Sequence, residues 1–316
     1  MCTRLLVPLL LFSLSRLAAG SLAVEVIGPP LELSGGDTYF MNPEWSPTGK
    51  TVAVTGPNYT GIYLLSFPGG DVTQISDDPG AGLGMQWSPD GARILTTLSR
   101  YEERQMVRAV AVFDVLSGQK KVLTGFQTAP TGAPRWSKDG KEIFLVGEKK
   151  VVILDSNRGG TVREPPAGTG EKILLSHRGD IVVHDLAEGR RDVLAIVEGE
   201  KLNLTVSPDR EKVAFEIMGG HLWVATIDGK KAVDLGVGYR PSWAPTSDKI
   251  AYMVTTDDGH QYLTSDIYAI NADGSGRIRI TATADRLEMS PSWSPDGKWI
   301  AYHTLKQGKI LVQEVR

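Results

Sequence analysis

The sequence WSPDGKWIAY occupies residues 293–302, and altered copies of its first five letters recur along the chain. From the first copy to the last, the intervals are 42, 49, 70, 37 and 50 residues. The interval of 70 residues has room for one more, degenerate unit, in which residues 166–175 align with residues 136–145. We therefore count seven units in the sequence. Six units in total is the alternative, because the division of residues 146–206 is open. The copies begin at Trp45, Trp87, Trp136, Val206, Trp243 and Trp293.

Each copy is followed by short apolar segments separated by turns. Trp299-Ile300-Ala301-Tyr302 directly follows the last copy, and Ile267-Tyr268-Ala269-Ile270 is a second segment of the preceding unit. Nearly continuous apolar strands indicate burial on both faces. A period of about 40 residues with several strands per unit is typical of a β-propeller. We predict an all-β fold, a single β-propeller with seven four-stranded blades.

The repeated motif itself reads as a turn beside a buried aromatic residue. Proline presets φ at the second turn position, aspartate tolerates the next position, and glycine adopts the left-handed conformation that closes a hairpin. Tryptophan supplies a large apolar surface for packing between blades. We therefore interpret the recurring aspartate, as in Asp90 and Asp296, as a turn residue rather than a catalytic one.

The two ends of the repeat array complement each other. The last unit contains three strands, ending in Ile310-Leu311-Val312-Gln313, and lacks a fourth. Leu31-Glu32-Leu33-Ser34 stands just before the first motif and matches the fourth strands of other units. We predict that the N-terminal strand closes the last blade, so that the ring has no open seam.

The first residues have the pattern of a secretory signal peptide. Arg4 precedes an apolar run from Leu5 to Leu14, and small residues follow up to Ala23. The only cysteine, Cys2, lies in this segment. We predict a signal peptide over residues 1–23 and a propeller domain over residues 24–316. The mature protein is then periplasmic or secreted, with no membrane span.

The repeats resemble those of TolB-type β-propellers, whose units carry the same Pro-x-Trp-Ser-Pro-Asp-Gly phrase. The resemblance covers residues 31–316 and is carried by the five tryptophan-centred copies. It implies a propeller of the bacterial cell envelope, corresponding to the propeller half of TolB without its N-terminal domain.

Common catalytic and binding signatures are missing from the sequence. It contains no Gly-x-Ser-x-Gly, no His-Glu-x-x-His and no phosphate-binding glycine loop. The net charge is −3 and no basic stretch resembles a nucleic-acid footprint. We predict no catalytic residue, no metal, no cofactor and no nucleic-acid partner.

Loop length is uneven around the ring, and this points to a binding face. Long loops between or within blades, such as residues 99–106 and 256–264, cluster on the face opposite the Trp-Ser-Pro-Asp-Gly turns. Binding sites concentrate on long loops of rigid scaffolds, and Tyr and Arg are frequent interface anchors. We predict that a periplasmic or envelope protein docks on this face of blades 6-7-1-2. The candidate contact residues are Tyr39, Phe40, Arg100, Tyr101, Arg104, His260, Tyr262, Arg286 and Met289.

Two alternatives stay open at this point. One is a glycan-acting lyase or hydrolase at the mouth of the central channel, with Asp257, Asp258 and His260 as its acidic and basic groups. The other is an envelope module that has a structural role and no specific ligand.

Overall fold

The structure is a computed structural model that describes residues 23–128, 133–146, 151–159, 161–162, 172–177, 179–186 and 188–316. Apart from residue 23, the predicted signal peptide lies outside the described residues. The described chain is built from strands and one 3₁₀ turn, Pro57–Tyr59. In chain order the strands are β1 (Val26–Glu32), β2 (Met41–Trp45), β3 (Thr51–Thr55), β4 (Ile62–Ser66), β5 (Val72–Ser76), β6 (Gln86–Trp87), β7 (Arg93–Glu102), β8 (Gln105–Asp114), β9 (Lys120–Val122), β10 (Gln127–Thr128), β11 (Arg135–Trp136), β12 (Glu142–Val146), β13 (Val151–Asp155), β14 (Thr161–Val162), β15 (Lys172–His177), β16 (Asp180–Asp185), β17 (Arg190–Val193), β18 (Lys201–Val206), β19 (Lys212–Ile217), β20 (His221–Thr226), β21 (Ala232–Val237), β22 (Tyr239–Trp243), β23 (Lys249–Asp257), β24 (Tyr262–Asn271), β25 (Ile278–Arg279), β26 (Glu288–Trp293), β27 (Trp299–Thr304) and β28 (Ile310–Val315).

Within the described ranges these strands form seven antiparallel sheets, which we number 1 to 7 in chain order. Sheets 1, 3, 5 and 6 each contain four consecutive strands: β2–β5, β11–β14, β18–β21 and β22–β25. Sheet 2 holds β6–β10, because β9 and β10 both pair with β8. The described strands of sheet 4 are β15–β17, and sheet 7 combines β26–β28 with β1.

Buried side chains between neighbouring sheets close the sheets into a ring. Ile94 of sheet 2 shares a cluster with Ala53 of sheet 1, and Trp136 of sheet 3 shares one with Leu95 of sheet 2. Further clusters join sheets 3 to 4, 4 to 5, 5 to 6 and 6 to 7. The remaining cluster packs Val52 of sheet 1 against residues of sheet 7 such as Val312. The predicted all-β ring of stacked sheets is confirmed.

The motif turns have one hydrogen-bond pattern in several copies. Ser88 donates its hydroxyl to Asp90 Oδ1 at 2.5 Å and accepts the Arg93 N–H at 2.9 Å. Asp90 Oδ1 also accepts the Ala92 N–H at 3.0 Å, and these bonds lower the pKa of Asp90. The serine-aspartate bond recurs at Ser137, Ser207 and Ser294. The recurring aspartate therefore fixes the turn.

Successive motif turns touch one another around this face. A methyl group placed on Gly49 would lie 3.3 Å from Pro295 Cγ of sheet 7, and one on Gly140 would lie 3.2 Å from Pro89 Cδ of sheet 2. Both glycines also have the left-handed backbone, with φ of 69° and 71°. Only glycine meets both demands at little cost.

Three of the motif tryptophans join an innermost strand to the preceding sheet. Trp87 Nε1 donates to the Glu44 carbonyl at 3.0 Å, and Trp136 Nε1 donates to the Gln86 carbonyl at 3.3 Å. Trp243 makes the same kind of bond to Thr205 at 3.2 Å. Each indole thus packs in an inter-sheet cluster and also satisfies its polar atom across the sheet boundary.

The N-terminal strand completes the last sheet, as predicted. β1 runs antiparallel to β28, with Leu31 opposite Val312 and Glu32 opposite Leu311. The pairing starts earlier than the sequence indicates, at Val26 opposite Val315, and is interrupted between Ile27 and Leu31. The ends of the described chain are therefore held side by side.

Two segments predicted as long loops are β-hairpins. β7 and β8 pair continuously from Arg93–Asp114 to Glu102–Gln105, and the two residues between them, Glu103 and Arg104, both have positive φ. β23 and β24 pair out to Asp257 and Tyr262. Paired left-handed residues match the twist of a two-residue hairpin turn. Residues 99–106 are therefore mostly ordered strand, and the interpretation as a loop is wrong.

The docking of the N-terminal segment makes a test of ring closure. Ser34 is fully buried, and its Oγ accepts the Ile310 N–H at 2.8 Å. We expect Ser34→Ala to lower the free energy of unfolding by about 1–3 kcal/mol, because it leaves a buried N–H without this acceptor. Urea denaturation measures the change. Thr38→Ala, at an exposed residue of the same segment, is the control and should stay within about 0.5 kcal/mol. Equal midpoints for both variants would show that this segment is not docked.

Candidate functional site

Four of the innermost strands carry a backbone irregularity at the same motif position. Asn42, Asn203, Arg240 and Ser290 each stand three residues before the motif's first position and have φ between 49° and 54°. The strand pairing shifts beside each of them. Left-handed backbone is tolerated by asparagine but costs roughly 1–3 kcal/mol for a residue such as arginine. All four residues line the centre of the ring, so the bulges repeatedly direct a side chain there.

The centre of the ring holds a cavity of about 510 Å³. Its described walls come from the first strands of sheets 1, 2, 3, 5, 6 and 7 and from the segments that precede them. Tyr59 of the 3₁₀ turn and Leu83 of the connection between sheets 1 and 2 also line it. Both residues lie on the face opposite the motif turns, so the cavity extends toward the face that carries the long hairpins.

Three charged residues line the described part of this cavity: Glu44, Arg135 and Arg240. The Glu44 side chain lines the channel and is accessible to water there. Loss of bulk hydration raises the pKa of Glu44 to about 7, although the charges of Arg240 and Arg135 act in the opposite direction. Burial in the channel wall likewise lowers the pKa of Arg135, and Glu44 opposes that shift.

The two arginines reach the centre from opposite parts of the ring. Arg135 of sheet 3 donates from Nη2 to the Leu204 carbonyl of sheet 5 at 3.3 Å. Arg240 comes from sheet 6, and no described residue forms a hydrogen bond with its guanidinium. Nor does any hydrogen bond or ion pair within 4 Å join Glu44 to either arginine in the described part of the chain. The charges of the three groups therefore act on one another at a distance. Most of their side-chain donors and acceptors form no hydrogen bond with the described residues.

The main chain of Arg240 is held by a buried carboxylate. Glu216 is 4% exposed, and its Oε1 accepts the Arg240 N–H at 2.6 Å and the Asn203 side-chain amide at 2.8 Å. One carboxylate oxygen thus supports the bulges of sheets 5 and 6. The left-handed conformation of Arg240 is a fixed feature of the channel.

His303 supports the corresponding bulge at the seam between sheets 7 and 1. It is 2% exposed, and its Nδ1 accepts the Asn42 N–H at 3.3 Å. Burial and the charge of Arg240 lower the pKa of His303 to about 3, while a hydrogen bond with the Met289 backbone acts in the opposite direction. The imidazole is therefore neutral at ordinary pH and serves as an acceptor.

Six of the residues predicted to contact a partner lie at the surface. Tyr101 is 72% exposed and Tyr262 is 40% exposed. Arg100 stacks over the Phe126 ring at 3.7 Å and pairs with Glu102. The other exposed members of the set are Arg104, His260 and Arg286.

The side chains of the remaining three predicted contact residues are buried or half-buried. Phe40 is 1% exposed and Met289 is 7% exposed, and each belongs to an inter-sheet cluster. These two do not form part of a surface, because their side chains stabilise the ring. Tyr39 is half-buried and donates its hydroxyl to the Leu305 carbonyl at 2.6 Å.

The acidic residues of the alternative enzymatic interpretation cap a turn. Asp258 Oδ1 accepts the N–H groups of His260 and Gln261, both at 2.9 Å, and these bonds lower the pKa of Asp258. Asp257 accepts the Gly259 N–H at 2.9 Å. Both carboxylates thus shape the tip of the β23–β24 hairpin.

The residues that the structure describes contain no group of three or more His, Cys, Asp or Glu side chains arranged to hold a metal ion. They also contain no helix of the length and hydrophobicity needed to cross a membrane.

The channel residues are absent from the sequence-based set. Glu44 and Arg135 immediately precede motif tryptophans, and Arg240 lies three residues before Trp243. A usable signal was present, since charged residues beside a buried tryptophan in an innermost strand must face either the channel or the next sheet. Loop length, on which the predicted contact residues depend, points only to the outer face.

Sequence comparison finds TolB-like proteins. No protein-family model matches the chain. A Tol-Pal system protein TolB from Francisella tularensis subsp. holarctica is 23% identical over 266 residues, which cover 82% of this chain and 55% of the relative. The chain therefore spans about half the length of that relative.

Solved structures share the fold. TolB from Acinetobacter baumannii superposes with a TM-score of 0.54 at 19% identity, over 83% of this chain and 59% of that one. The propeller domain of Cps50 (Swd1) from Myceliophteria thermophila gives a TM-score of 0.62 at 11% identity, over 91% and 100% of the two chains.

The closed ring of antiparallel sheets around a central channel defines a β-propeller. The chain has this fold, and its sequence is similar to that of TolB over 82% of its length.

The buried His303 predicts a pH dependence of stability. Its pKa is about 3 in the folded protein and near 6.5 when unfolded, so the unfolded chain binds more protons below pH 6.5. We expect His303 to reduce the free energy of unfolding as pH falls from 6.5 toward 3, by up to about 1.4 kcal/mol per pH unit. Urea denaturation at pH 6.5, 5.5 and 4.5 measures this slope.

His303→Gln should flatten the slope, whatever its effect on stability at pH 6.5. His221→Gln is the control, because His221 is exposed and pairs with Asp234 at 2.9 Å. A slope in His303→Gln equal to that of the unsubstituted protein would contradict the prediction.

Proposed function

We propose that this protein is an exported, non-catalytic scaffold that binds a protein partner of the periplasm or cell envelope. The partner docks on the face opposite the motif turns, across sheets 6, 7, 1 and 2. The single observation that carries the proposal is the pair of long hairpins on this face, β7–β8 and β23–β24.

The hairpins extend well beyond the body of the ring. β7 and β8 have ten residues each, whereas β3 and β4 have five. At about 3.3 Å per residue, four or five extra residues raise the tip by roughly 13–16 Å. β10 pairs with Val107 and Arg108 in the raised part of β8 and stiffens it. Such an extension contributes little to the core, which favours a role in binding.

The two hairpins flank a depression. Sheets 7 and 1 lie between sheets 6 and 2 in the ring, and their corresponding connections are short, residues 305–309 and 56–61. Tyr39 and Phe40 pin the connection between sheets 7 and 1 to the adjacent turn, with the Phe40 N–H donating to Gly308 at 2.8 Å. A partner can therefore rest on a rigid floor between two walls.

The hairpins expose apolar and aromatic side chains near their tips. Tyr101 and Met106 are 72% and 41% exposed on one hairpin, and Tyr262 and Leu263 are 40% and 54% exposed on the other. Arg104 on the first hairpin and His260 on the second add polar contacts beside them. Aromatic residues with neighbouring arginine are typical of protein interfaces.

The relatives support the cellular context. The curated relative is a Tol-Pal system protein, and the N-terminal sequence has the pattern of an export signal. The chain spans only part of that relative. We therefore propose for the chain a protein-binding role in the envelope, without a specific partner.

Photo-crosslinking in the native host tests the proposed face. A photoreactive amino acid at position 101 or 262 should yield discrete crosslinked products in the envelope, because both side chains project from the hairpins. Leu116 is 97% exposed in a turn on the opposite face and provides the matched control position. The products are identified by mass spectrometry.

Hairpin truncation is the complementary test. Replacing residues 101–106 with Asn-Gly keeps the pairing of Arg100 with Val107, and replacing residues 257–263 with Asn-Gly keeps that of Thr256 with Thr264. The double truncation should abolish the product of a third photoreactive site at Arg286 and leave the thermal midpoint within a few degrees. Equal crosslinking from both faces, or an unchanged product after truncation, would refute the proposal.

A further inference from the structure

The central cavity has the composition of a ligand site that is separate from the hairpin surface. Its volume of about 510 Å³ falls in the range of small-molecule pockets. Its described charged groups are one carboxylate, Glu44, and two guanidinium groups, Arg135 and Arg240. We propose that the channel binds a small oxyanion, a carboxylate or a sulfate-like group, between Arg135 and Arg240 and beside Glu44.

The geometry leaves both arginines available for a ligand. A guanidinium has five N–H donors, and the hydrogen bond to Leu204 uses one from Arg135. Arg240 has no hydrogen-bond partner for its guanidinium among the described residues, although its main chain is held by Glu216 at 2.6 Å. A fixed backbone with unused donors is preorganised to receive a planar or tetrahedral oxyanion.

A structural ion pair with Glu44 would be the simpler explanation for the two arginines. In that case the carboxylate should lie within hydrogen-bonding distance of at least one of them. The described chain shows no such contact, and the pKa of Glu44 is raised to about 7 despite both positive charges. Glu44 thus does not satisfy the arginines.

Glu44 is positioned to respond to the ligand. When protonated it carries no charge and can donate a hydrogen bond to the bound oxyanion; when ionised it repels it. The other titratable groups nearby are Tyr59 in the described cavity wall, Glu216, which accepts the Arg240 N–H, and His303, whose pKa the charge of Arg240 lowers. Because the pKa of Glu44 in the ligand-free protein is about 7, the affinity for the oxyanion should decrease as pH rises from 6 to 8.

Titration of the full-length mature protein with sodium acetate and with sodium sulfate tests the site. Both probes keep their charge between pH 6 and 8, and sodium chloride at equal ionic strength is the reference. Trp87 Nε1–H donates to the Glu44 carbonyl, so its indole signal in a ¹H–¹⁵N spectrum reports on the channel. We expect saturable shifts of this signal, and the probe that binds more tightly identifies the oxyanion class.

Substitutions then assign the site to its residues. Arg240→Gln should weaken binding at least tenfold. The matched control is Arg210→Gln. Arg210 also has a left-handed backbone, with φ of 62°, but it lies in the motif turn between β18 and β19 and does not line the described cavity. Arg210→Gln should bind as tightly as the unsubstituted protein.

The pH series isolates Glu44. Affinity for acetate should be about tenfold lower at pH 8 than at pH 6, because the protonated fraction of a group with a pKa of about 7 falls by that factor. Glu44→Gln should bind equally at both pH values, at the level seen at pH 6. Shifts that chloride reproduces, or unchanged affinity in Arg240→Gln, would overturn the proposal. These outcomes do not depend on a protein partner, so the site and the hairpin surface stand or fall separately.

Discussion

The pairing of β1 with β28 is the constraint on which the rest of the molecule depends. Each sheet of the ring buries both faces, and sheet 7 can do so only when sheet 1 packs against it. β1 lies in sheet 7 and continues directly into sheet 1, so one short segment fixes both neighbours. Without it β28 would be an open edge, and the buried Leu33, Ile310 and Val312 would lose their shared cluster.

Closure also determines what both candidate surfaces look like. Sheets 6 and 2 face each other across sheets 7 and 1 only because the ring is complete, and the depression between their hairpins follows from this. The same closure gathers Glu44, Arg135 and Arg240, which are far apart in the sequence. The proposed binding surfaces on the outer face and in the channel therefore both depend on one long-range contact.

The sequence predicts the fold well because its signals are local. Turns with Pro, Asp and Gly and nearly continuous apolar strands each depend on a few neighbouring residues, and the missing fourth strand of the last unit follows from counting. The hairpin of residues 99–106 escaped recognition for a physical reason. Both of its faces meet solvent near the tip, so polar residues such as Glu102 and Gln105 show no hydrophobic alternation and resemble a loop.

The candidate site is less predictable, because exposure depends on packing that the sequence does not display. Phe40 and Met289 stand beside exposed loop residues, yet their side chains are buried, Phe40 between sheets 7 and 1 and Met289 between sheets 6 and 7. Tyr101 and Tyr262 occupy equally loop-like surroundings and remain exposed. The channel residues depend on strand bulges at Asn42 and Arg240, and left-handed backbone in a non-glycine residue leaves no reliable trace in composition.

The contact between each motif glycine and the proline of the preceding turn links neighbouring repeats sterically. Gly49 faces Pro295, Gly91 faces Pro47 and Gly140 faces Pro89, so the shape of one turn sets the space allowed to the next. A substitution in one copy is therefore felt by its neighbour before any ligand is involved. Each turn thus limits the side chains that the next turn can accommodate, so that a larger residue in one copy requires a compensating change in its neighbour.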